Sequence, residues 1–375
     1  MIYNNFKGRN ISALGMGCMR LPTVDGDISR IDEEKVAEMF DYAISHGVNY
    51  FDTAWGYHNG QSEIAVGKAL KKYPRESFYL ADKFPGYDLA NMDKVEEIFE
   101  KQLEKTGAEY FDFYLFHNVC EMNVNEYLDE KYRIFDYLMK QKENGRIRHL
   151  GFSGHGNSDT LKLFLDKYGY AMEFGMLQLN WLDWTFQKAK EKVELLAKYG
   201  LPVWAMEPMR GGKLATLAPQ FEAKLKAENT NERIPGWGFR FLQSIPEIKV
   251  TLSGMSNFEQ LKENIATYEK ANPLTESEWN TLQSVAAEML GNITPCTGCR
   301  YCTEYCPQGL NIPELLELYN EHKFSGGGFI APMRISRLPD DKKPSACLQC
   351  RACEAVCPQN IRIADAFVDF TERLQ

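Results

Sequence analysis

Eight cysteines between residues 296 and 357 repeat one spacing twice, and no other feature of the chain restricts its fold as strongly. The first run is Cys296-x₂-Cys299-x₂-Cys302-x₃-Cys306-Pro307, and the second is Cys347-x₂-Cys350-x₂-Cys353-x₃-Cys357-Pro358. Only Cys18 and Cys120 lie before them. A disulfide framework suits a small secreted domain, whereas these cysteines occupy one tail of a 375-residue chain. Its start, Met1-Ile2-Tyr3-Asn4-Asn5-Phe6-Lys7, lacks the apolar stretch of a secretion signal. The spacing therefore points to metal ligation. Paired C-x₂-C motifs can hold zinc, but a four-ligand zinc site gives no reason for an identical doubled run.

Each run resembles those of bacterial two-cluster ferredoxins. Three thiolates at x₂ spacing wrap the chain around a cubane, while the fourth, before proline, reaches the neighbouring cluster. On this basis Cys296, Cys299, Cys302 and Cys357 are expected to hold one [4Fe–4S] cluster, and Cys347, Cys350, Cys353 and Cys306 the other. The resemblance covers the cysteines and little else. Asn311–His322 and Ile361–Leu374 carry helical periodicity, Pro313 stands near a helix start, and Ser325-Gly326-Gly327-Gly328 forms a loop between the runs. The tail is thus closer to the helical ferredoxin modules attached to other oxidoreductases.

From residue 11 to about 290, short apolar runs alternate with longer amphipathic stretches. Expected strands are Ile11–Gly17, Val48–Asp52, Phe78–Lys83, Phe111–His117, Ile147–Ser153, Gly175–Leu179, Pro202–Met206 and Val250–Gly254, most of them apolar enough to be buried on both faces. Ser256 and Glu259 read as the capping box of a helix after the eighth strand. Eight βα units match a (β/α)₈ barrel better than a doubly wound sheet, which has fewer strands. The expected architecture is an α/β chain, with a (β/α)₈ TIM barrel over residues 1–288 and a small, helix-rich ferredoxin-like iron–sulfur domain over 289–375.

Residues 50–57 read Tyr50-Phe51-Asp52-Thr53-Ala54-Trp55-Gly56-Tyr57, followed by Ser62-Glu63-Ile64-Ala65-Val66-Gly67-Lys68-Ala69-Leu70. This segment resembles the aldo-keto reductases, and the likeness extends from Gly15-Met16-Gly17 to Glu263-Asn264. It implies a catalytic quartet of Asp52, Tyr57, Lys83 and His117. Independently, Asp52, Lys83 and His117 end three successive expected strands, and a barrel builds its active site at that face. In such a quartet Tyr57 supplies a proton to the oxygen of a reduced carbonyl, and His117 orients that oxygen. Lys83, held by Asp52, is expected to lower the phenol's pKa.

The same resemblance implies a nicotinamide dinucleotide at the barrel mouth, with Ser153 and Gln178 on its carboxamide. The family's Ser-Asn after strand five is here Ser153-Gly154-His155, and its Tyr-Ser-Pro-Leu run is Met206-Glu207-Pro208-Met209. Met206 can pack on the ring as a thioether. Gly254, Ser256, Gln260 and Asn264 match the 2′-phosphate and adenine site, where Gly254 replaces a usual lysine and Gln260 a usual arginine. An uncharged amide cannot give arginine's charge-assisted pairing, so NADPH and NADH both stay open. Arg210 is a candidate for the pyrophosphate.

A net charge of −9 without a basic run excludes the electrostatic footprint of a nucleic-acid binder, and no apolar stretch is long enough to span a bilayer. The expectation is a cytoplasmic oxidoreductase, reducing a small carbonyl-type substrate with NADPH or NADH and exchanging electrons through two [4Fe–4S] clusters with ferredoxin or another redox protein. Alternatives are a reductase with structural or oxygen-sensing clusters, and a non-catalytic nucleotide-binding regulatory module.

Overall fold

Eight parallel strands close into a barrel in the computed structural model, which describes residues 1–291 and 293–375. In chain order the strands are β1 (Tyr3–Phe6), β2 (Arg9–Ser12), β3 (Leu14–Gly17), β4 (Tyr50–Asp52), β5 (Tyr79–Phe84), β6 (Phe111–Val119), β7 (Ile147–Gly154), β8 (Gly175–Gln178), β9 (Val203–Met206) and β10 (Ile248–Ser253). The barrel runs β3 to β10 in sequence and closes where Ser253 pairs with Met16. Its strands are buried on both faces, as parallel strands covered by helices must be.

The expected first strand, Ile11–Gly17, is divided. Ile11 and Ser12 belong to β2, which pairs antiparallel with β1, and only Leu14–Gly17 enters the barrel. Lys7 and Gly8, at φ 50° and 81°, make the two-residue turn with two positive-φ residues that matches strand twist in a tight hairpin. This hairpin carries Phe6 and Ile11 into one core cluster with Tyr50, Phe113, Phe174, Met176, Trp204 and Val250. Phe6 meets the rings of Phe113, His149, Phe174 and Trp204 with centroids 5.1 to 6.4 Å apart, so the barrel interior is filled with side chains.

A second correction concerns the helix after β10. It spans Phe258–Thr267, and its cap is Asn257, whose side chain accepts the Gln260 N–H at 2.9 Å. Ser256 lies one residue too early and gives its hydroxyl to the Arg20 carbonyl instead.

The chain divides into two compact units, Met1–Ala286 and Ala287–Gln375. Among the described residues the second unit has no strand. Helices Ile312–Ser325, Ile330–Ser336 and Ile363–Arg373 bury Leu315, Leu316, Ile335, Phe367 and Phe370 together with Cys302 and Cys353. Gly326, at φ 63°, closes the first of these helices in the left-handed conformation. No helix among the described residues is long and apolar enough to cross a membrane.

Candidate active site and cluster cavities

Asp52 and Lys83 end or nearly end β4 and β5, so their neighbouring strands bring them together. Lys83 Nζ lies 2.5 Å from Asp52 Oδ1 and 2.7 Å from the Thr53 carbonyl, with both side chains almost inaccessible to solvent. Burial opposes charge on Lys83, yet Asp52 and Tyr57 hold its pKa above the ordinary value. Burial raises the Asp52 carboxyl against the pull of Lys83. Tyr57 lies in the turn after β4, and Lys83 Nζ stands 4.9 Å from the centre of its ring. His117, in β6, faces the same phenol edge-on with centroids 6.1 Å apart, and Tyr87 meets its ring edge-on at 5.2 Å. The four expected quartet residues are therefore gathered at one rim.

The phenol departs from expectation in one respect. Lys83 does pull the Tyr57 pKa down, but burial outweighs it, and the net direction is upward. The lysine's charge is largely offset by Asp52 beside it, so Tyr57 keeps its proton at neutral pH. Burial, reinforced by Lys83 and His155, holds His117 well below the usual histidine range. It is a neutral imidazole.

Behind the quartet lies a buried network that the sequence did not disclose. Gln102 Nε2 donates to Glu63 Oε1, Asp82 Oδ1 and the Lys83 carbonyl at 3.1, 2.8 and 3.0 Å. Lys105 reaches Glu63 Oε2 at 2.5 Å and stands 4.3 Å over the Trp55 ring. It thereby joins the turn bearing Tyr57 to the helix Ser62–Leu70.

The residues expected at a dinucleotide are placed differently from one another. Ser153 Oγ accepts the Asn118 N–H at 2.8 Å, and Gln178 Nε2 donates to Asp183 Oδ2 at 2.9 Å. Arg210 is buried, with Nε 3.1 Å from both oxygens of Asp183, so its charge is paired within the protein. Met206 is half-buried at the end of β9. Gly254 follows β10. Gln260 Oε1 accepts the Ser256 N–H at 2.8 Å, and Asn264 Nδ2 donates to Ser253 Oγ at 3.1 Å, so both amides serve the local fold. Asp183 and Asn118 were not singled out from the sequence. Asn118, at φ 61°, buries Oδ1 without a hydrogen-bond partner, and the adjacent His117 does the same with Nδ1. Two orphaned polar atoms beside Ser153 are what a carboxamide-bearing ligand would satisfy.

In the second unit the cysteines ring two small cavities. Cys296, Cys299, Cys302 and Cys357 line the first, and Cys306, Cys347, Cys350 and Cys353 the second, with Ile363 between them. Gly298 and Gln349 occupy equivalent places in the two runs at φ 70° and 54°, as do Arg300 and Arg351 at 65° and 59°. The chain thus makes the same left-handed turns around each cavity. Among the described residues no three His, Cys, Asp or Glu side chains converge on a single-ion site. Four thiols spread around a cavity fit a cubane rather than one zinc ion.

A family model for the aldo/keto reductase family matches residues 13–287, and one for a 4Fe-4S dicluster domain matches 295–361. The chain is 29% identical over 256 residues to a probable aldo-keto reductase 1 of Glycine max, covering 61% of this chain and 70% of that one. It is 24% identical over 305 residues to an NADH-specific methylglyoxal reductase of Escherichia coli, covering 76% and 86% respectively. The barrel superposes with a TM-score of 0.61 on an aldo-keto reductase from Klebsiella pneumoniae in complex with NADPH, at 17% identity, covering 76% of this chain and 96% of that one. That last likeness shows the fold alone. With a barrel matched along nearly its whole length and a cysteine-lined tail matched separately, this chain belongs to the aldo/keto reductase family of oxidoreductases and carries a C-terminal 4Fe–4S dicluster domain.

Proposed function

We propose that the barrel reduces a small carbonyl-type substrate with NADPH or NADH and that the tail exchanges electrons through two [4Fe–4S] clusters. The observation that carries this reading is the convergence of Asp52, Tyr57, Lys83 and His117 at one rim of the barrel. When bound, the nicotinamide supplies a hydride and the cubanes supply single electrons. Tyr57 gives its phenolic proton to the substrate oxygen as negative charge develops there. The Lys83 cation beside it stabilises the phenolate left behind, and Asp52 fixes that cation in place. Neutral His117 donates a hydrogen bond to the same oxygen and sets the carbonyl's orientation. Ser153, Gln178 and Asn118 would hold the carboxamide, Met206 would pack against the nicotinamide, and Gly254, Ser256, Gln260 and Asn264 would serve the adenosine end. Arg210 acts through Asp183, which also holds Gln178.

Two one-electron centres match one two-electron hydride, which favours a redox role for the clusters and a redox protein such as ferredoxin as partner. The E. coli relative is named for NADH and the Klebsiella structure for NADPH, so either dinucleotide fits. All ten cysteines are free of disulfides, in keeping with a cytoplasmic setting. The test is an anaerobic spectral titration of the brown, full-length protein with NADPH and then NADH. Bleaching of the cluster absorption by either one in the absence of substrate, and its recovery as the two stored electrons pass to an added small aldehyde, is expected. Dinucleotide binding with clusters that stay oxidised and a rate indifferent to their oxidation state would reduce them to a structural part.

A further inference from the structure

Arg20 ends the short turn Cys18–Arg20 after β3, and its backbone is fixed on both sides. Its carbonyl accepts the Ser256 hydroxyl at 2.9 Å, and the next N–H, of Leu21, donates to His58 Nε2 at 3.0 Å. The side chain crosses two glycines. A Cβ on Gly254 would lie 3.2 to 3.4 Å from Cβ, Cγ and Cδ of Arg20, and a Cβ on Gly211 would lie 3.1 Å from its Nη2. The arginine stem thus occupies the space that a side chain at 254 would need, and its guanidinium stands over the loop after β9. There Arg210, Gly211 and Gly212 follow one another at φ 48°, 67° and 99°, a left-handed run that turns the loop sharply. Arg20 is exposed, and its guanidinium makes no hydrogen bond or ion pair among the described residues. The contrast with Arg210, whose charge is paired with Asp183, leaves Arg20 as the cation facing outward over these two loops.

We infer that Arg20 is a cofactor-binding residue, pairing with the diphosphate of the dinucleotide and supplying the positive charge that Gly254 and Gln260 do not. The inference rests on the dinucleotide reading of the barrel. A planar guanidinium pairs with phosphate through two parallel hydrogen bonds, and its loss removes a charge-assisted contact. Because the diphosphate is common to both cofactors, the effect must be shared by NADH and NADPH.

The test measures dissociation constants of NADH and NADPH by calorimetry on the full-length, cluster-loaded protein, its Arg20→Met variant and its Arg20→Lys variant. Arg20→Met is expected to weaken both dinucleotides by roughly ten- to a hundredfold, with Arg20→Lys recovering part of the loss and iron content unchanged. Unchanged binding by Arg20→Met, or weakening confined to NADPH, overturns the assignment to the diphosphate. If the unaltered protein binds neither dinucleotide, it is the cofactor reading that fails. A second readout needs no variant: NADH should protect Arg20 from phenylglyoxal, scored by peptide mass, and equal modification with and without NADH overturns the inference.

Discussion

Lys83 and Asp52 form an ion pair 2.5 Å long in which neither side chain is more than 4% exposed. Such a pair contributes little net stability over an apolar core, but breaking it strands a buried charge. Asp52→Ala leaves the ammonium without its carboxylate partner, and a loss of about 3–5 kcal/mol in urea unfolding of the barrel is expected. Replacing both residues by apolar ones of similar size should cost much less. A single variant as stable as the parent would show that solvent reaches the pair.

Tyr57 and His117 hold their neutral forms by burial, one shifted up and the other down. Single-turnover reduction should therefore be flat between the ordinary histidine and tyrosine values, roughly pH 6.5 to 10, and fall above that range as the phenol ionises. Tyr57→Phe should lower the rate by about 10²–10⁴ with dinucleotide affinity retained. A rate that Tyr57→Phe leaves intact removes the phenol from the chemistry.

His155 is pushed down from 6.5 to about 4, chiefly by burial. A depressed folded value means that the unfolded chain binds the proton first. Stability from this source is whole above pH 6.5 and is lost as pH falls toward 4. His155→Gln should flatten the decline in urea midpoint between pH 7.5 and pH 5, and identical slopes in the two proteins would contradict the burial argument.

Lys105 joins Glu63 to Trp55, two residues before Tyr57 in the chain. Removing its charge should let the tyrosine turn shift. Lys105→Met is expected to reduce kcat by on the order of tenfold, a size set by misplacing a reacting group by a fraction of an ångström. Dinucleotide binding should hold, and Lys105→Arg should restore most of the rate. A fall in affinity without a fall in kcat would place Lys105 elsewhere in the mechanism.

Cys357 lines the cavity of the first cysteine run and Cys306 that of the second. Cys357→Ala should therefore remove the cluster bound by Cys296, Cys299 and Cys302, halving iron from about eight to about four per chain. Cys306→Ala should remove the other. Low-temperature spin-resonance spectra of the two variants should be complementary, and identical residual spectra would mean that the fourth ligands do not cross.

The cysteine runs, through their resemblance to two-cluster ferredoxins, implied that the fourth thiol of each run serves the other, and Cys357 and Cys306 line those cavities. Alternation of apolar runs determined eight barrel strands, and strand ends placed Asp52, Lys83 and His117, since side chains at the ends of neighbouring parallel strands must share a rim. The Tyr3–Ser12 hairpin was hidden because Ile11 continues the apolar run of β3 and nothing local marks the break at Ala13. The charges at the barrel rim were decided only by tertiary structure. Arg210 is paired by Asp183, 27 residues earlier, and the Gln260 side chain is tied to the Ser256 N–H just ahead of its own helix. Arg20 is carried to that rim by a bond to Ser256, 236 residues away, when the barrel closes between β3 and β10. Local spacing records the periodicity of strands and ligand loops, whereas the partner of a long charged side chain depends on which distant strand end the closed barrel sets beside it.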